Sequence, residues 1–484
     1  MKILLIQPKG VESFWQFPWI TRGSNRKCIS TPTGIATIAA LTPEDWDIEI
    51  VDEHFQTVPE ETDADIVAVS GTNTQFPRQI HWLRHFQHKY TVAGGPYASL
   101  VPENYEGAAN TLISGEAEYL WPQFCRDWPN PKPYYREDGS VDLKDVPIPR
   151  YDLLDMNRYL FAGVQFSRGC PYRCEFCDSI VIFGRKPRVK DLCQIEAELD
   201  SLRGVRSVFF VDDNLIGNRP KAKELCRFLI ERKYPYVFGC EMTINVAQDE
   251  EMLFLLREAG FEWGFIGIES SDVSALSGVK KTQNLKLNLL EAVRTIYEHG
   301  IQVYAGFIVG FDEDDKSVFD RHFHFITESG IQVAMISPLF AAPKTPLYQR
   351  VKAEGRLLGD GNCDGLENTT WTNMVPKQMS LEDLMSGHAR LYRELFEYRN
   401  IHRRVVNKMR YLKNPVHFNH LRDFGEIASL IAAFRPAQFW VDKTLSVLPK
   451  EQHPVALKDW SLALMIKDYV ERNLGGNHSQ AVHL

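Results

Sequence analysis

Gly169-Cys170-Pro171-Tyr172-Arg173-Cys174-Glu175-Phe176-Cys177-Asp178 is the stretch around which the chain is organised. Its three cysteines are spaced C-x3-C-x2-C. Thiolates are ligands for iron–sulfur clusters and for zinc. A zinc site usually draws four protein ligands as two separated pairs, and no second Cys/His pair lies nearby. Three cysteines on a four-iron cluster leave one iron open to an outside ligand. A zinc knuckle or three buried thiols are the alternatives. The order of the residues that follow weighs against both.

Downstream, apolar runs alternate with helical patterns. Runs at 163–167, 207–211, 237–240, 264–268, 303–309 and 332–337 are separated by helical stretches at 191–203, 220–232, 249–259, 284–299 and 315–329. Six strand–helix units predict a parallel sheet. In parallel barrels the chemistry sits at the carboxyl ends of the strands. Those ends carry Asp212-Asp213-Asn214, Glu241, Glu269-Ser270 and Gly310-Phe311-Asp312-Glu313. For Asp212, Asp213 and Ser270 a helix N-cap is an equal alternative, because strand-to-helix turns favour these residues.

Upstream, runs at 2–6, 48–51, 66–70, 91–93 and 111–113 alternate with helices such as 33–41. This predicts a doubly wound parallel sheet that binds ligands outside its carboxyl edge. Gly71-Thr72, Gly94-Gly95 and Gly115-Glu116 fall at that edge. Prolines at 129, 131 and 133, Asp138-Gly139 and Pro147-Ile148-Pro149 interrupt residues 126–160. The expected division is a first domain over 1–145, a linker at 146–160, a second domain over 161–340, a loop-rich then helical region over 341–475, and a flexible tail at 476–484. Leu339, Phe340, Leu347, Trp371 and Met374, in the loops expected to close over the second domain, suit either a hydrophobic substrate or a core.

The chain has 484 residues, 44% hydrophobic and 24% charged, with a net charge of −8, which argues against nucleic acid as the main partner. Nine cysteines, three of them in one loop, are not a disulfide framework and point to a reducing compartment. No apolar run approaches a membrane span of about 20 residues, and the N-terminal run is too short for a signal peptide. The expectation is a cytoplasmic protein. His81, His85 and His88 share a helix face, but neighbouring Arg84, Gln87 and Lys89 mark a solvated surface rather than a metal site.

The cysteine loop resembles that of the radical S-adenosylmethionine (SAM) superfamily. Gly306-Phe307-Ile308-Val309-Gly310-Phe311-Asp312-Glu313 fits that family's Gly-x-Ile-x-Gly-x-x-Glu pattern, which flanks the adenine. Glu269 and Ser270 fit its ribose- and amino-acid-contacting strand end. Asp212, Asp213 and Asn214 stand at its Gly-Gly-Glu position, with aspartates for glycines. With the upstream domain, the order resembles the cobalamin-dependent class over nearly the whole chain. Segments 165–170, 183–185, 210–218, 306–312, 32–41 and Phe14-Trp15 are similar to the subgroup that includes hopanoid C-methylases.

The resemblance implies an α/β fold: a Rossmann-like cobalamin-binding domain, a (β/α)6 partial barrel and a helical C-terminal region. It implies a 4Fe-4S cluster on Cys170, Cys174 and Cys177, with SAM on its open iron. SAM contacts would come from Asp212, Asp213, Asn214, Glu241, Glu269, Ser270, Gly306, Gly310 and Glu313. Cobalamin contacts would come from Gly71, Thr72, Gly94, Gly95, Gly115 and Glu116. Most members methylate an unactivated carbon: one SAM methylates the cobalamin, and a second yields the 5′-deoxyadenosyl radical that opens the substrate to methyl delivery. Some relatives are instead cyclases, oxidases or rearranging enzymes. An electron donor such as flavodoxin or ferredoxin, and a small-molecule or lipid substrate, are the implied partners. Cobalamin enzymes with a histidine below the cobalt carry Asp-x-His-x-x-Gly. Here Asp52-Glu53-His54 is followed by Thr57 in place of that glycine and comes after the second strand, so His54 reads as no cobalt ligand.

Overall fold

The computed structural model describes residues 1–11, 26–137, 139–359, 371–415 and 435–474. Phe14-Trp15 and the tail lie outside the described residues. The strands, in chain order, are β1 (Lys2–Gln7), β2 (Cys28–Ser30), β3 (Asp47–Asp52), β4 (Ile66–Ser70), β5 (Tyr90–Gly94), β6 (Thr111–Ser114), β7 (Tyr134–Arg136), β8 (Tyr159–Val164), β9 (Ser167–Arg168), β10 (Arg188–Val189), β11 (Ser207–Phe210), β12 (Val237–Met242), β13 (Phe261–Glu269), β14 (Gln302–Val309) and β15 (Ala334–Pro338).

The first sheet is parallel, in the order β3-β1-β4-β5-β6-β7. Successive strand residues point to opposite faces. Leu4, Ile6, Val67 and Val69 pack on one side with Phe76 and Leu83 of helix Phe76–His85. Ile3, Leu5, Ile66 and Ala68 pack on the other with Ile35 of helix Thr33–Leu41 and Trp121 of helix Ala117–Asp127. Burial on both faces is why these strands read as continuous apolar runs. β7 lies within the proline-interrupted stretch. Tyr135 fixes it there, buried against Phe124 with its hydroxyl donating to Asp127 at 2.6 Å.

The second sheet runs β15-β14-β13-β12-β11-β8-β2, with every pairing parallel. Five of its strands fall on the expected runs, and the sixth, β8, lies four residues earlier than the expected 163–167. The seventh, β2, comes from the segment assigned to the first domain. Thr31, just past β2, accepts the Gly163 N–H at 2.9 Å through its hydroxyl. The outer face (Val208, Phe210, Phe238, Ile266, Ile268) packs on helices. On the inner face, Trp263 stacks on Phe209 at 5.2 Å and on Tyr304 at 5.0 Å, with Phe161 alongside at 5.6 Å. These rings form one aromatic layer on the inner face of the sheet. Gly239 makes room for it, since a Cβ there would lie 2.3 Å from the Trp263 ring.

Helices Leu381–Leu395, Tyr398–Met409, Arg435–Ser446 and His453–Asn473 cover the outside of this sheet. The buried Lys408 ammonium joins Asp459 at 2.8 Å to Gln302 of β14 at 2.6 Å. Leu339, Leu347 and Met374 form a small buried core with Phe311 beside the barrel mouth. Among the described residues no helix is long and apolar enough to cross a membrane.

Candidate active site

β8 leads through β9 into the cysteine loop. Gly169 has φ +89°, and a Cβ there would sit 3.0 Å from the carbonyl oxygens of both Gly184 and Lys186, so a side chain does not fit. The end of β11 anchors the loop. Asp212 is buried, and its carboxylate accepts the N–H of Phe166 at 3.1 Å and that of Ser167. Burial pushes its pKa up to about 7. Asp213 accepts the Gly169 N–H at 2.9 Å. Both carboxylates, expected from the resemblance to touch SAM, are committed to the loop backbone. Asn214 donates its amide to Cys170 Sγ at 3.8 Å.

From the opposite side, residues 279–283 clasp the loop. The Glu175 N–H donates to the Val279 carbonyl at 3.0 Å, and its carboxylate pairs with Lys280 at 2.7 Å. Gln283 donates to Cys174 Sγ at 3.5 Å. The Lys281 ammonium lies 2.5 Å from Glu269 Oε1 and 5.7 Å from the centre of the Phe176 ring. Burial pulls the Lys281 pKa down, but the charges of Glu269 and Cys174 outweigh it, and the net shift is upward. Glu269 ends β13 at φ +63°, a left-handed conformation costly for a residue with a Cβ.

These residues fit a 4Fe-4S cluster. The donors are three thiols on one loop, the set soft iron–sulfur centres take. Burial pushes the Cys170 thiol up and the Cys177 thiol up to about 12, so anionic sulfur there needs cationic compensation. A buried lysine stands beside them. Two amides aim at the sulfurs, and their other ends, Asn214 Oδ1 and Gln283 Oε1, have no partner among the described residues.

A cavity of about 390 Å³ opens over the loop, within the range of small-molecule sites. Thr72, Asn73, Pro96, Tyr97 and Leu100 line it from the carboxyl edge of the first sheet. Phe176, Cys177 and Asp178 line it from the cysteine loop, and Gly267, Glu269, Gly306 and Ile308 from the barrel strands. Leu339, Phe340 and Ala342 close its rim, while Leu347 and Met374 belong to the adjoining core. The turn behind Pro96 requires glycine: Gly95 has φ +99°, and a Cβ would meet Ser70 Oγ at 2.6 Å. The first-sheet residues lie at the strand ends where doubly wound sheets bind ligands, so the cleft fits a cofactor held between the sheets.

Other expected residues lie elsewhere. Glu116 pairs with Arg168 at 2.7 Å and Arg188 at 2.9 Å, tying the first domain to the root of the cysteine loop, and Glu118 pairs with Arg168 at 2.5 Å. Burial alone would raise the Glu116 pKa, but the two guanidiniums hold it low. Glu313 packs against Gly278, and its neighbour Asp314 holds the Gly310 turn, accepting the N–H groups of Gly310 at 2.9 Å and Phe311 at 3.0 Å. Ser270 accepts the Asp272 N–H at 3.0 Å, a turn role. Glu241 is near Asp213 and Asp212, and burial with those charges pushes its pKa up to about 8. His81 and His85 stack at 6.3 Å, and the three histidines form no metal-ligand group among the described residues. Lys281, Gln283 and His322 had no motif to mark them. His322 faces the carbonyls of Glu269 at 3.2 Å and Ile308 at 3.1 Å, bracing the ends of β13 and β14.

A three-thiol loop at the mouth of a parallel partial barrel defines a radical SAM enzyme, and residues 164–326 match the radical SAM superfamily model. Residues 345–440 match a domain of unknown function (DUF4070). The chain belongs to the radical SAM family, and its cofactors include a 4Fe-4S cluster and SAM. It is 36% identical over 411 residues to an uncharacterized methyltransferase of Synechocystis sp., covering 82% of this chain and 76% of that one. It is also 36% identical over 379 residues to the hopanoid C-2 methylase of Rhodopseudomonas palustris, covering 75% of this chain and 72% of that one. The solved structure of OxsB, a cobalamin-dependent SAM radical enzyme with aqua-cobalamin bound, shares the fold with a TM-score of 0.63 at 16% identity, covering 98% of this chain and 81% of that one.

Proposed function

We propose that the chain is a cobalamin-dependent radical SAM methyltransferase that methylates an unactivated carbon of a largely apolar small molecule or lipid. The observation that carries this reading is one cavity lined jointly by the first sheet's edge, the cysteine loop and the barrel strand ends. When bound, the cluster and SAM supply a 5′-deoxyadenosyl radical and cobalamin supplies the methyl carrier. Cys170, Cys174 and Cys177 would hold the cluster. Glu269 and the open backbone of Gly306 would face SAM. Thr72, Asn73 and Tyr97 would meet cobalamin from the first domain. Leu100, Ile182, Phe265, Met335 and Phe340 give the cavity an apolar wall that excludes water and suits a hydrocarbon substrate.

The division into a cobalamin-binding domain to about residue 145, a barrel over 161–340 and a helical region to 475 is part of this reading. So are reduction by a flavodoxin- or ferredoxin-type donor and a cytoplasmic location at or near a membrane surface. The test is anaerobic turnover with a hopanoid as first substrate. Methyl transfer gives S-adenosylhomocysteine and 5′-deoxyadenosine in equal amounts. A cyclase, oxidase or rearranging enzyme gives 5′-deoxyadenosine without S-adenosylhomocysteine.

A further inference from the structure

Asp52-Glu53-His54, unsuited by sequence to hold cobalt, meets a cysteine at the seam between the two sheets. Cys28 opens β2, the edge strand of the second sheet, and Asp52 closes β3, the edge strand of the first. His54 follows in the turn after β3. One ligand atom from each of the three lies within 4.8 Å of the others. His54 Nδ1 is 2.7 Å from Asp52 Oδ1, and Cys28 Sγ is 3.9 Å from Asp52 Oδ2. None of the three lines the cavity above the cysteine loop.

We propose that Cys28, Asp52 and His54 bind a single divalent cation of the zinc class, which clips the edges of the two sheets together. Three observations support it. The donor set is one sulfur, one imidazole nitrogen and one carboxylate oxygen, the mixture zinc accepts and hard cations do not. A thiol is a weak hydrogen-bond donor, so a buried cysteine against a carboxylate gains little as a hydrogen bond and more as a metal ligand pair. The Tyr159 hydroxyl donates to Asp52 Oδ2 at 2.9 Å, the outer contact that orients a ligating carboxylate. Cys28 and Asp52 are buried, whereas the His54 side chain is 19% exposed, so a fourth ligand from solvent would enter on that side. At zinc–ligand lengths of about 2.0–2.3 Å, tetrahedral ligands stand about 3.3–3.8 Å apart, so binding opens the His54–Asp52 contact by roughly half an ångström and releases the Cys28 thiol proton.

The test is zinc content of the anaerobically purified holoenzyme produced with added zinc, read beside cluster iron, with zinc-edge X-ray absorption. The expected result is stoichiometric zinc with one sulfur at about 2.3 Å and the remaining scatterers nitrogen or oxygen at about 2.0–2.1 Å. Cys28→Ser and His54→Asn should each lower zinc occupancy at least about tenfold and leave cluster iron unchanged. If Cys28→Ser does not fold, His54→Asn, at the partly exposed position, decides alone. Wild-type protein without zinc, or zinc retained in the variants, overturns the proposal and leaves a hydrogen-bonded node. Neither result bears on the methyltransferase reading.

Discussion

The Lys281 ammonium sits 2.5 Å from Glu269 Oε1, and both residues are more than nine-tenths buried. This pair joins a loop that donates a hydrogen bond to the Cys174 thiol through Gln283 to the strand end that faces the cavity. Removing one partner of a buried pair leaves an uncompensated charge and costs about 3–5 kcal/mol. Lys281→Met is therefore expected to lower folding stability by that amount in denaturant titrations. It should also shift the cluster midpoint potential to more negative values, because a cation that favours the added electron is gone. Lys281→Arg should recover most of the stability. An unchanged potential in Lys281→Met would show that the lysine only braces Glu269.

Arg168 holds Glu116 and Glu118 across the domain seam, and Arg188 shares Glu116. A guanidinium fork serves two carboxylates at once where an ammonium does not. Arg168→Lys should destabilise the fold by about 1–3 kcal/mol, with Arg168→Gln worse, because buried carboxylates lose their partners. Thermal melts of the two variants and wild type check the order.

Each cluster cysteine is expected to be indispensable. Cys170→Ala, Cys174→Ala and Cys177→Ala should each lose cluster iron and reduce 5′-deoxyadenosine formation at least about a thousandfold, since no other group replaces a thiolate on the loop. Iron analysis and product chromatography read both effects.

His322 gives an acid dependence with a defined sign. Burial pulls its pKa from 6.5 down to about 4. Between those values the unfolded chain binds the proton and the folded chain does not. The neutral ring's contribution is complete above about pH 6.5 and is lost as pH falls toward 4, about 3 kcal/mol in all. Asp212 and Asp314, both raised to about 7 by burial, titrate in the same window with the opposite slope. The useful quantity is thus the stability difference between wild type and His322→Gln, which should shrink steadily from pH 7 to pH 4.5.

How far these relationships could be read from sequence depended on their range along the chain. Helix Thr33–Leu41 and strand Ile66–Ser70 have the ends that the apolar pattern sets, because each is fixed by its own periodicity. β2 has three residues and pairs with β8 about 130 residues away, so no local pattern reveals it. Asp212 and Asp213 stand at the expected strand end, yet both turn toward the loop backbone, a choice made by the backbone turn after β11 and not by position. Asp314, next to Glu313, holds the Gly310 turn by accepting the N–H groups of Gly310 and Phe311, a role that no motif marked. Lys281 follows helix Val273–Gly278 and stands over the Phe176 ring of the cluster loop, about 105 residues away in sequence, so no local pattern marks it. Strand-end logic located the cavity, while the contacts that hold it come from long-range packing.

The measurement closest to the central claim needs no substrate. The cluster- and cobalamin-loaded enzyme is reduced anaerobically and given SAM carrying a trideuterated methyl group. A methyltransferase gives stoichiometric S-adenosylhomocysteine, with the deuterated methyl recovered on protein-bound cobalamin. SAM consumed only to 5′-deoxyadenosine and methionine, with no label on cobalamin, would contradict the methyltransferase reading.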